Sequence, residues 1–347
     1  MKKYLLILLF ILLTALAGCG NESLAEAPDP GVETPDPSVE PQDLRDQVDL
    51  SLKPDESGRI MILMYHNIGT EEQEWVRTPE NFLRDLTVLY EKGYRPISLR
   101  DYALGHIETE QGFTPVVLTF DDGNRNNFRY LDSGEIDPES AVGLLLAFHE
   151  SHPDFPLEAT FFLNGPGAFQ QKGTEKQKLR FLLDQGMDVG NHSLEHANLK
   201  QTDRQELQRQ IGGQALFLKN LIGDDSYPID LLALPYGGRP KDEALIPYLL
   251  EGSFEGQPYH NVAILNVGWH PAWSPYDSRF DPAGIPRIRA SETKVDQVGL
   301  YNYLEYFYNH PEERFISDGQ PELVTIPEAR RDRLKPMDDE DKEIYAY

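Results

Sequence analysis

The sequence predicts an α/β domain on a parallel sheet, able to close as a barrel. Short apolar runs of strand length alternate with amphipathic stretches of helix length, and several of the strand-like runs end directly in residues that carry chemistry. The first run, 60–65 (Ile-Met-Ile-Leu-Met-Tyr), suits a buried strand. Thr78-Pro79 then starts a helix with a cap and an N1 proline; Phe82, Leu86, Leu89 and Tyr90 form its apolar face and Gly93 stops it. Runs 116–120, 159–163 and 187–190 read as strands. Asp203 to Glu206 has capping-box spacing ahead of a helix presenting Leu207, Ile211, Leu218 and Leu221 or Ile222. Runs 231–234, 263–267 and 285–288 supply later strands, and 133–156 and 165–178 read as insertions long enough to shape a groove.

Composition narrows the chemistry. The chain has 347 residues, 39% hydrophobic, enough for a substantial core. With 32 Lys and Arg against 58 Asp and Glu, the net charge of −26 repels polyanions and argues against nucleic acid. A single cysteine excludes an intrachain disulfide, a thiolate zinc cage and an iron–sulfur site, so oxygen and nitrogen ligands must do the work. Residues 1–18 read as a signal peptide, basic at Lys2 and Lys3 and too short in its apolar stretch for a membrane span. Cys19 follows Leu16-Ala17-Gly18, a pattern that resembles a bacterial lipobox and implies lipidation and attachment to a membrane. Residues 19–57 are expected to form an acidic, proline-rich tether, 58–330 the folded domain and 331–347 an acidic tail.

Three constellations follow strand-like runs. Thr119-Phe120-Asp121-Asp122-Gly123 delivers two carboxylates to the C-terminal edge of a strand, where α/β barrels build their sites. Asn191-His192-Ser193-Leu194-Glu195-His196 places two histidines four apart, a spacing that on a helical turn aims both rings at one ion; with a carboxylate they furnish a two-His, one-carboxylate zinc site. Leu234-Pro235-Tyr236-Gly237 turns sharply and presents a backbone N–H, as an oxyanion hole requires.

In this order, and with Met64-Tyr65-His66 before them, these motifs resemble the polysaccharide deacetylases of the NodB-homology type, carbohydrate esterase family four. The resemblance implies a distorted, incomplete (β/α) barrel with a divalent metal, commonly zinc, in its C-terminal mouth. It implies Asp122, His192 and His196 as metal ligands, Asp121 as catalytic base and the Tyr236 N–H as oxyanion donor. Two departures stand out. The third motif of the family often carries an arginine where this chain has Ala233, and Arg287 and Arg289 are candidate substitutes because they lie on a later strand-like run. The late histidine that usually supplies the general acid is missing from that run. His270 is a candidate donor, Trp269 and Trp273 are candidate platforms for sugar rings, His66 is a candidate pocket residue and Asn191 a candidate support for the histidine loop.

The expected function is metal-dependent removal of N-acetyl groups from extracytoplasmic glycans by a protein anchored through Cys19. A lipid-anchored carbohydrate-binding protein without turnover and a metal-free glycoside hydrolase using Asp121 or Asp122 are the alternatives.

Overall fold

Alternation along two central strands explains how the chain divides into an inside and an outside. In β1 (Met61–Tyr65) and β5 (Thr114–Phe120), Ile62 and Val117 face one apolar cluster while Met61, Leu63, Val116, Leu118 and Phe120 face another. The first cluster fills the interior of a curled sheet. The second lies between the sheet and its outer helices. Every strand residue of β1 and β5 is buried, which is why the pattern reads as apolar runs and not as alternation of apolar with polar.

This computed structural model describes residues 43–337 and 342–347. Cys19, the signal segment and the tether before Asp43 lie outside the described residues, as do the acids 338–341. After β1 come β2 (Asn67–Ile68), β3 (Val76–Arg77), α1 (Pro79–Glu91), β4 (Tyr94–Pro96), α2 (Leu99–Leu104) and β5. Then follow α3 (Ala141–Ser151), β6 (Thr160–Leu163), α4 (Glu175–Asp184), β7 (Asp188–Asn191), α5 (Arg204–Ile222) and β8 (Leu231–Ala233). The last elements are α6 (Pro247–Leu250), β9 (Glu251–Phe254), β10 (Gln257–His260), β11 (Ala263–Leu265), β12 (Ile288–Arg289), α7 (Leu300–Asn309), β13 (Leu323–Ile326) and β14 (Glu343–Ala346).

Eight strands form one sheet in the order β11-β8-β7-β6-β5-β1-β12, with β4 beside the start of β5, and every pairing in it is parallel. The sheet curls into a half-barrel, the incomplete barrel that the sequence led us to expect. Ile285 bridges to Leu265 of β11 while Ile288 and Arg289 pair with β1, so residues 285–289 reach both edges of the curl. Parallel strands send all their C-terminal ends to one rim, which collects the residues following β1, β5, β7, β8 and β11.

The helix signals act as read. Thr78 Oγ1 accepts from Asn81 N at the start of α1, Gly93 takes the left-handed φ of 77° after its end, and Asp203 accepts from Glu206 N at the start of α5. Phe82, Leu86 and Leu89 of α1 are fully buried, each contributing about 1.5–3 kcal/mol of transfer free energy.

Three expectations are corrected. Residues 133–156 are no insertion: they contain α3, the crossover helix between β5 and β6, whose Ala141, Val142, Leu145 and Phe148 enter the outer core. The tether does not extend to residue 57, because from Asp43 onward acidic side chains cap turns: Asp43 Oδ1 accepts from Arg45 N, Asp49 Oδ1 from Ser51 N, and Asp55 pairs with Arg330 at 2.7 Å. Nor is 331–347 wholly a solvated tail. Glu343–Ala346 pairs in parallel with β13, and the Tyr347 hydroxyl donates to Pro54 O at 3.1 Å. No helix among the described residues is long and apolar enough to cross a membrane.

One buried acid links stability to pH. Burial, with Asp318 beside it, holds the Glu56 carboxyl well above its ordinary value, and its Oε2 has no hydrogen-bond partner among the described residues. The folded protein keeps a proton that the unfolded chain releases above its own lower pKa. The stabilisation is therefore complete in acid and is lost as pH rises toward the folded value. Glu56→Gln retains an acceptor for Asp318 N and has no proton to lose. It should raise the melting temperature at pH 8 and leave it nearly unchanged at pH 4; an equal effect at both pH values would contradict this account.

Candidate functional site

The alternation that turns Val117 inward also turns Thr119 and Asp121 inward, so the first of the paired carboxylates ends in the barrel interior. Asp121 is 1% exposed, and there it meets Arg287, itself fully buried. The guanidinium is bidentate, Nη1 donating to Oδ1 at 2.8 Å and Nη2 to Oδ2 at 2.7 Å. Arg287 is held in turn by Thr119 Oγ1 at 3.2 Å and Asn266 O at 3.0 Å. Burial alone raises a carboxyl's pKa; here Arg287 and His192 outweigh it and hold Asp121 below the usual range. The cation absent at Ala233 is thus supplied from the segment entering β12.

Asp122 goes elsewhere because its backbone is left-handed, with φ 72°, followed by Gly123 at 59°. A Cβ at residue 123 would lie 2.7 Å from the tip of Leu163, at Cδ2, so the turn favours glycine chiefly for its left-handed backbone. Asp122 Oδ1 lies 3.4 Å from His192 Nε2 and 3.3 Å from His196 Nε2. One ligand atom from each of the three falls within 4.8 Å of the others. Ligand bonds of about 2.0–2.1 Å in a tetrahedral set leave ligand atoms about 3.3–3.4 Å apart, so the spacing to Asp122 fits a small divalent ion such as zinc.

The two histidines do not share a helical turn. They sit in the loop after β7, where Ser193 (φ 62°) and His196 (φ 53°) are left-handed, and it is this doubled bend that brings the rings to 4.9 Å. Asn191 maintains the bend: its Nδ2 donates to Ile211 O at 2.8 Å and its Oδ1 accepts from Ser193 N at 2.9 Å. Each ring is oriented from behind. His192 Nδ1 donates to Ala233 O at 2.8 Å and His196 Nδ1 shares a hydrogen bond of 3.0 Å with the Tyr236 hydroxyl, so that both Nε2 atoms are directed at Asp122. Burial opposes a charge on His192, yet Asp121 and Asp122 raise its pKa above the ordinary value.

Tyr236 is left-handed as well, with φ 57°. Its backbone N–H has no partner among the described residues, while Gly237 N and Gly238 N close the turn onto Leu234 O and Pro235 O. Asp122, Ser193, His196 and Tyr236 thus concentrate backbone strain, of order 1–3 kcal/mol each, around one point. His66 follows β1 and brings Nε2 to 3.9 Å from Asp121 Oδ2. Burial lowers its pKa despite the nearby carboxylates. Its ring packs on Trp75 at 4.6 Å, a residue that no sequence spacing singled out.

The other candidates are not gathered. His270 is exposed and directs Nδ1 to Pro271 O, with no contact to Asp121 among the described residues. Arg289 pairs with Glu74 at 2.8 Å and not with Asp121. Trp269 is 63% exposed beside the rim, whereas Trp273 is stacked between Arg59 and Arg279, at 4.1 and 3.6 Å.

Two measurements check this geometry. Arg287→Met strands Asp121 as a buried charge and should cost about 3–5 kcal/mol in metal-free urea unfolding, most of it recovered when Asp121→Asn is added; additive losses would refute the pairing. Tyr236→Phe removes the hydroxyl behind His196 and should weaken divalent-metal affinity about 10–100-fold by competition titration, leaving the melting temperature of the metal-free protein unchanged.

Residues 109–246 match the family model of polysaccharide deacetylases, a span that holds all three motifs but neither His66 nor Arg287. No curated protein matches the chain. The fold is similar to that of the deacetylase PplD of Streptococcus pyogenes, solved in complex with acetate, at 16% identity, over 71% of this chain and 97% of that one, with a TM-score of 0.51. It is also similar to a polysaccharide deacetylase from Bacillus cereus, at 18% identity, over 69% and 67% of the two chains, again with a TM-score of 0.51. In sequence, the middle of this chain is similar to the polysaccharide deacetylase family, and in fold the chain is similar to solved deacetylases.

Proposed function

We propose that this protein is a metal-dependent hydrolase that removes N-acetyl groups from extracytoplasmic glycans, tethered to a membrane through lipidated Cys19. The single observation that carries the reading is the division of the paired carboxylates: Asp122 faces two histidines while Asp121, next in sequence, is held ionised by Arg287. Asp122, His192 and His196 would hold the ion, with zinc the best match to two imidazoles and a carboxylate. A bound divalent cation supplies Lewis acidity to the acetyl carbonyl and lowers the pKa of water toward about 7.

The remaining work falls to the chain. Asp121 accepts the proton of the attacking water, and Arg287 fixes the carboxylate's orientation without competing for that proton. The Tyr236 N–H donates to the oxyanion as the carbonyl carbon becomes tetrahedral. When the C–N bond breaks, the proton that Asp121 took from water passes, after a small movement across the 3.9 Å between them, to the neutral His66 and from it to the departing nitrogen, which leaves both side chains as they began. The products are acetate and a sugar amine.

Two observations favour this reading over the alternatives. A binding protein without turnover was suggested by the missing arginine and late histidine, and the proximity of Arg287 and His66 to Asp121 supports their acting as substitutes. A glycoside hydrolase needs a carboxyl able to donate a proton, and Asp121 and Asp122 are both held below the usual range.

Acetate release from N-acetylglucosamine oligomers and cell-wall fragments tests the reading. Release should stop on chelation, return with added metal, fall at least 10³-fold in Asp121→Asn and fall about 10²–10⁴-fold in kcat in His66→Gln with metal affinity retained. Absence of acetate across this panel with metal fully loaded would refute it.

A further inference from the structure

Beside the rim lies a cavity of about 450 Å³ that the proposed reaction does not use, within the size range of small-molecule sites. Its aromatic walls are Trp75 and Trp269, 40% and 63% exposed, whereas a large aromatic side chain without a ligand is ordinarily packed away. Both are tied to the site. Trp75 packs on His66. Trp269 follows Gly268, which lies so close to the Arg287 backbone that a Cβ there would meet Arg287 N at 2.6 Å. The hydroxyl of Tyr303 donates to Trp269 O, fixing the platform from the other side.

The polar wall is charge-balanced. Arg289 lies over Trp75 at 4.8 Å and pairs with Glu74 at 2.8 Å; Lys294 reaches the other oxygen of Glu74 at 3.3 Å. Asp296 supplies a second carboxylate to the same lining. Two cations and two anions leave no net charge to attract an acidic group, while their free donors and acceptors suit hydroxyls. Lys294, Asp296 and Gln297 all have left-handed backbones, at φ 53°, 47° and 65°, so this wall is held in a costly conformation.

Resting on the deacetylase reading of the adjoining site, we propose that this cavity is a subsite for an uncharged pyranose neighbouring the acetylated sugar. One face of that ring lies on Trp269, its hydroxyls meet Glu74 and Arg289, and a neighbouring sugar bearing a carboxylate is disfavoured. The substrate class is accordingly an oligosaccharide of at least two residues without acidic substituents near the scissile acetamide.

The full chain, loaded with zinc, is assayed for acetate release on β-1,4- and β-1,6-linked N-acetylglucosamine oligomers of one to four residues, and on a disaccharide whose second sugar carries a carboxylate. The subsite predicts at least a tenfold rise in kcat/KM from one residue to three, lost about tenfold in Trp269→Ala through KM. Glu74→Gln, which frees Arg289 and Lys294, should shift preference about tenfold toward the carboxylate-bearing disaccharide. Acetate release that is independent of chain length, or a length preference unchanged in Trp269→Ala, overturns the subsite and leaves the hydrolase reading standing. Tryptophan fluorescence titration with the same oligomers separates the converse case: tighter binding of longer oligomers, weakened in Trp269→Ala, without acetate from any of them, upholds the subsite and refutes the chemistry. Neither binding nor acetate overturns the subsite.

Discussion

The buried pair of Arg287 and Asp121 is the contact on which the rest of the structure depends. Two groups with almost no exposure meet through two charge-assisted hydrogen bonds, and the guanidinium is itself anchored on Thr119 and Asn266. An ion pair of this kind is costly to desolvate and gives little stability relative to an apolar replacement, so its retention points to a requirement for a charged oxygen at that place. It also ties the chain together. β5 lies in the middle of the sheet, and residues 285–289 reach β11 on one side and β1 on the other.

Around that pair the fold separates two adjacent carboxylates that have the same intrinsic chemistry. Extended backbone sends Asp121 inward toward a cation; a left-handed residue sends Asp122 to the rim toward two histidines. The difference in environment, not in residue type, would let one carboxylate serve an ion while the other exchanges a proton in the proposed reaction. Orientation of the imidazoles follows the same economy. A strand carbonyl and a phenol hydroxyl each hold an Nδ1 atom, so the Nε2 atoms face inward without further adjustment.

The surroundings match this chemistry in charge. The body is strongly acidic, and Arg287, Arg289 and Lys294 beside the rim are each paired with a carboxylate. Little positive potential is left over to attract acidic polymers, whereas the exposed indoles offer surface that suits the apolar face of a sugar.

Much of this was legible in the residues alone. Buried parallel strands are apolar on both faces, so their runs announced the sheet; the capping residues Thr78 and Asp203 marked helix starts, and the motifs at strand ends named Asp121, Asp122, His192, His196 and Tyr236. Arg287 was a candidate on one ground only, its position on a late strand. Other features were hidden because they rest on backbone dihedrals or on partners far apart in the chain. The histidine spacing suggested a helical turn, yet Ser193 and His196 bend the loop the other way. The packing of His66 on Trp75 and the charge balance of Glu74 with Arg289 and Lys294 join segments separated by up to about 220 residues. Local sequence determined which groups are present and which strand each one ends, because propensity, periodicity and capping act within a few residues. Tertiary structure alone decided which cation meets Asp121, which ring oxygen orients His196 and which indoles stay exposed, because those outcomes depend on how the curled sheet brings distant strand ends to one rim.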